Sequence, residues 1–75
     1  MAEPADFLTE LGIGASLGRG QQPDRVEAHK WFNIAATRGC PEAARLRAEL
    51  AYEMTREEVA KAQRLAREYL AASLS

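Results

Sequence analysis

Cys40 and His29 are the two side chains here whose chemistry could reach beyond binding, and each stands alone in its residue type. Cys40 precedes Pro41 at the expected start of a helix, where the macrodipole lowers a thiol pKa and favours the reactive thiolate. A redox role would follow, but no second cysteine exists to resolve an oxidised form within the chain. An intermolecular disulfide is the simpler outcome. His29 could act as a general base or metal ligand. Its neighbours Ala28 and Lys30 offer no partner, and no cysteine or second histidine stands at helical spacing from it, so it reads as solvated or partly packed. The two residues together cannot make a four-ligand zinc site. No metal or cofactor is implied, and no nucleophile, base and oxyanion site can be assembled. The chain is expected not to be an enzyme.

Gly18 and Gly20 could suggest a phosphate loop. Such a loop follows a strand and leads straight into a helix, whereas these glycines follow a helical pattern and precede Pro23. They read as turn residues. Basic residues gather in the C-terminal half, and Arg56, Lys61, Arg64 and Arg67 could face DNA or RNA. Glu49, Glu53, Glu57, Glu58 and Glu68 are woven through the same segment, so charge pairs along exposed helix faces explain the pattern better. Ten basic and eleven acidic side chains leave a net charge of -1, which supplies no field toward nucleic acid or an anionic membrane. The acidic start, Met1 to Asp6, has no long apolar run after it and is not read as a secretory signal. No run approaches the ~20 apolar residues that span a bilayer, and a lone cysteine suits a reducing compartment. A cytoplasmic protein without membrane contact is the expectation.

Positioning these residues falls to four helices. Leu8, Leu11, Gly12 and Ala15 recur at helical spacing and predict a first helix over Ala5 to Leu17, closed by Gly18. Asp24 with Glu27 three residues on marks a capping box before the second helix, whose stripe is Ala28, Trp31, Phe32 and Ala35, broadened by Ile34, with Gly39 after its last turn. Trp31 is expected in the core, with Gly12 and Ala15 letting two helices approach closely around its indole. Pro41 suits the first turn of a third helix, with Ala43, Leu46, Leu50 and Met54 as its buried line. Thr55 and Glu58 form a second capping box for a fourth, carried by Val59, Ala62, Ala66, Tyr69 and Leu70, with Leu65 alongside. No segment alternates as a strand would, so the fold class is all-α.

The succession Leu11-Gly12, Gly18, Gly20, Asp24, Ala28, Trp31, Ala35-Ala36, Gly39, Ala43 resembles one unit of the Sel-one-like repeat, a relative of the tetratricopeptide repeat. The resemblance covers a little under half of the chain. Phe7, Ala15 and Gln21 depart from the family's usual alanine, tyrosine and valine; the missing tyrosine leaves a gap that Trp31 and Phe7 are expected to fill. The resemblance implies two stacked antiparallel helical hairpins, a short α-solenoid. In that scheme residues 1–4 are disordered, 5–43 form the repeat hairpin, and 44–73 form a degenerate second repeat or capping hairpin. One and a half repeats leave a face uncovered, so a homodimer is the expected form in isolation.

In such repeats the first helix lines the surface that receives partners. Asp6, Glu10, Ile13 and Leu17 form a second line on that helix, turned partly from the core face. Ile13 and Leu17 would supply apolar contact, and Asp6 and Glu10 polar steering toward a basic protein partner. Packing of Ile13 and Leu17 on the third or fourth helix is an equal alternative. The function read from the sequence is a protein–protein interaction module, an adaptor or small regulator. A nucleic-acid-binding helical domain using Arg56, Lys61, Arg64 and Arg67 is second.

Overall fold

Helix α1 runs Ala5–Leu17, α2 Arg25–Thr37, α3 Pro41–Ala51 and α4 Arg56–Ser73 in a computed structural model that describes residues 4–73. The expectation of disorder over residues 1–4 lies, for residues 1–3, outside the described residues. Pro4 precedes α1, and its carbonyl accepts the Leu8 amide at 3.2 Å.

Local chemistry sets the helix ends. Gly18 has φ 71°, the left-handed conformation that closes a helix, and a Cβ there would fall 2.7 Å from the Gln21 carbonyl oxygen. The Asp24 carboxylate accepts the Glu27 amide at 3.0 Å, while the Asp24 amide donates to the Ala15 carbonyl at 2.9 Å. That second bond replaces the return half of a capping box and ties the loop back onto α1. Thr55 and Glu58 complete theirs: the Glu58 amide donates to Thr55 Oγ1 at 3.1 Å and the Thr55 amide to Glu58 Oε1 at 2.8 Å.

The arrangement of the helices corrects the expected stack of two hairpins. α1 and α2 pair, but α3 and α4 do not form a second hairpin; both pack on α2 instead. The result is a four-helix bundle of 31 × 23 × 23 Å with α2 at its hub, and not an elongated solenoid of the Sel-one-like or tetratricopeptide-like kind. The physical reason lies on α2. Phe32 and Ile34 are both buried there, and two residues along a helix point to nearly opposite sides. With Ala28, His29 and Ala35 buried as well, α2 has apolar surface for three neighbours. α3 and α4, rich in small residues at Ala43, Ala62 and Ala66, all buried, settle against it separately.

Each neighbour meets a different side of α2. Toward α1, Gly12 lies against the Phe32 ring. Toward α3, Arg47 donates to Asn33 Oδ1 at 3.1 Å, and Arg25 stands 3.9 Å from Glu53. Toward α4, Trp31 meets Tyr69 edge to face with centroids 5.4 Å apart, and Arg38 donates to Ser73 Oγ at 3.2 Å. The last contact joins two helix C-termini, so α4 runs alongside α2 in the same direction.

Candidate groove between α1 and α3

The second half of α1 and the second half of α3 diverge above α2 and leave an open groove of about 280 Å³. Ile13, Ser16 and Leu17 form one wall and Leu46 and Leu50 the other, with the Phe32 ring at the floor and Glu49 and Glu53 at the margin. The walls follow from helical spacing, since residues 13 and 17, and 46 and 50, are each one turn apart. Ile13, Leu46 and Leu50 are half-buried against the core, whereas Leu17 is 63 % exposed. The margin is acidic, but Glu49 is held by Arg45 at 2.8 Å and Glu53 faces Arg25, in pairs more than half exposed. Exposed pairs of this kind contribute ~0–1 kcal/mol and exchange partners freely.

Of the four residues placed on a binding line by the sequence, Ile13 and Leu17 come together here. Asp6 and Glu10 do not reach this groove. They border a neighbouring hollow with Thr9, Cys40 and Glu42, which adjoins the groove through Ile13. Leu46, Leu50 and Phe32 enter the site from α3 and α2, and the sequence pattern had assigned all three to the core. A line that is half core and half wall carries no separate sequence signal.

The aromatic positions also exchange roles. Close approach of α1 and α2 at Gly12 takes place around Phe32, 3 % exposed, while Trp31 is half-buried at the edge of the core beneath Lys30, whose Nζ lies 4.1 Å from the ring centroid. Phe7 does not fill the space beside Ala15; it is 52 % exposed on the outer side of α1.

His29 is buried, at 2 % exposure, and its Nδ1 has no hydrogen-bond partner among the described residues. Burial lowers its pKa below the usual histidine value, the Arg47 guanidinium on α3 lowers it further, and its own backbone offsets part of this. It is a neutral packing residue at neutral pH. Cys40 is half-buried at the start of α3, with Thr9 Oγ1 3.3 Å from its sulfur, while the same hydroxyl donates to the Ala5 carbonyl at 2.8 Å. Among the described residues no group of three or more His, Cys, Asp or Glu is placed to hold a metal, and no helix is long and apolar enough to cross a membrane.

Arg56, Lys61, Arg64 and Arg67 are all exposed on α4, and none of them joins an ion pair among the described residues. Of the interleaved charge pairing expected there, the described residues show Arg45 with Glu49 on α3.

No family model, no curated protein and no solved structure matches this chain.

Proposed function

We propose that this domain is a protein–protein interaction module, an adaptor or small regulator of the cytoplasm, which receives an amphipathic helix of its partner between α1 and α3. The observation that carries the reading is the meeting of Ile13 and Leu17 with Leu46 and Leu50 over the Phe32 ring, an apolar lining left open on a small bundle. Helix-in-groove recognition uses two or three apolar anchors on successive turns. The glutamates at the margin favour a partner with lysine or arginine beside those anchors. The module presents a surface and performs no reaction of its own.

A nucleic-acid-binding reading rests on the four unpaired cations of α4, with Glu57 and Glu68 on the same helix reducing their field. A leucine- and lysine-bearing amphipathic peptide and short duplex DNA and RNA, each titrated at low and moderate salt, separate the two. Peptide binding that Leu46→Glu removes and the double variant Arg64→Ala, Arg67→Ala leaves intact supports the groove. Salt-sensitive nucleic-acid binding lost in the arginine variant, without peptide binding, overturns it.

A further inference from the structure

Arg25, His29 and Asn33 follow one another at one-turn spacing on α2, and α3 runs past them in the opposite direction. The outer two are tied to it: Arg25 stands 3.9 Å from Glu53, and Asn33 Oδ1 accepts from Arg47 at 3.1 Å. His29, between them, is buried, and its Nδ1 has no hydrogen-bond partner among the described residues. In the neutral ring Nδ1 can stand as a bare acceptor, whereas in the protonated ring both nitrogens carry N–H. Protonation therefore buries a donor with nothing to receive it, in a seam that already holds the Arg47 guanidinium. The carboxylates nearby are engaged elsewhere. On α3, Glu53 faces Arg25 and Glu49 is held by Arg45. On α2, Glu27 is held by Lys30, and on α4 the Glu58 carboxylate receives the Thr55 amide. The α1 carboxylates, Asp6 and Glu10, border hollows elsewhere on that helix.

We propose that this seam is an acid-sensitive latch, in which protonation of His29 releases α3 from α2 while α1 and α4 stay docked. α3 is the helix least able to resist release. It buries Ala43 alone, and its packing is on α2. By contrast α1 buries Leu8, Thr9, Gly12 and Ala15, and α4 keeps Ala62, Ala66 and the Tyr69 contact with Trp31. Those contacts meet other sides of α2 and do not involve His29. The closed seam holds His29 neutral, and the open one lets it take a proton below its ordinary pKa of about 6.5. The ratio of open to closed chains therefore rises as pH falls, by at most about tenfold per pH unit. Release carries away Leu46 and Leu50, one wall of the groove. The effect on a bound partner rests on the groove reading; the release itself does not.

Residue-resolved hydrogen exchange of the full chain from neutral to mildly acidic pH tests the latch, each amide compared with its intrinsic rate at that pH. The expected result is protection across α3 lower than across α2 and α4, and falling by up to about tenfold per pH unit below about 6.5. The Trp31 emission stays native over the same range. His29→Phe removes the pH dependence of α3 protection, and Arg47→Gln, which keeps a donor for Asn33, makes it shallower. A merely structural role for His29 would produce neither change. Protection shared equally by all four helices throughout, native Trp31 emission lost along with α3, or a pH dependence unmoved in both variants overturns the proposal.

Discussion

A Cβ on Gly12 would lie 2.5 Å from Cε1 of Phe32 and 3.2 Å from the Ala28 carbonyl oxygen, so these two residues fix how closely α1 and α2 approach. The relationship decides more than one pair of helices, because the same ring floors the groove between α1 and α3. Moving α1 outward would open its wall.

Gly12→Ala is therefore expected to destabilise the bundle by about 1–2 kcal/mol, an overpacking cost of ~1–3 kcal/mol partly offset by better helix propensity of ~1 kcal/mol. Gly14→Ala makes only an ordinary contact with the Arg19 side chain, at 3.9 Å, and is expected to stabilise the monomer by up to about 1 kcal/mol. Urea unfolding of both at low protein concentration checks the opposite signs.

Phe32→Ala removes a ring 3 % exposed from the hub and should cost about 3–5 kcal/mol, comparable to the whole stability of a domain this small, ~3–5 kcal/mol. Trp31→Ala should cost less, about 1–2 kcal/mol, since the indole is half-buried and loses mainly its edge contact with Tyr69. Circular dichroism should show Phe32→Ala unfolded and Trp31→Ala folded with a lowered melting temperature.

Acid should weaken the fold through His29. Its folded pKa is depressed, so the native chain binds fewer protons than the unfolded chain and stability rises with pH. The contribution is complete above the unfolded value of about 6.5 and is lost as pH falls from there toward the depressed folded value. The slope cannot exceed about 1.4 kcal/mol per pH unit for one proton. Melting curves between neutral and mildly acidic pH should show this decline, and His29→Phe should flatten it.

Thr55→Ala breaks one bond of the closed capping box at the start of α4 and should cost about 1 kcal/mol. Hydrogen exchange should locate the loss in the first turn of α4. The same exchange pattern should leave α1 unaffected.

The helix ends were legible because each depends on a few neighbouring atoms: Gly18 and Asp24 around the first loop, Pro41 at the start of α3, Thr55 with Glu58 at α4. The assembly was not, because it depends on which faces meet. A repeat-like spacing from Leu11 to Ala43 suggested hairpin upon hairpin, yet the burial of Ile34 opposite Phe32 gives α2 a second apolar side that draws α3 and α4 to it separately. His29 illustrates the same limit. Set between Ala28 and Lys30 it reads as solvated, and its burial becomes visible only with Arg25 and Asn33, one turn away on either side and both turned toward α3. Ile13 and Leu17 of the expected line lie in one wall of the groove; the opposite wall, Leu46 and Leu50, could not be told from core because those leucines serve as both.

Amide chemical-shift mapping of the labelled chain during titration with a leucine–lysine amphipathic peptide tests the groove most directly. The expected result is saturable shifts centred on Ile13, Leu17, Leu46 and Leu50, absent in Leu50→Glu. Shifts confined to the outer face of α4, or shifts that persist in Leu50→Glu, would contradict it.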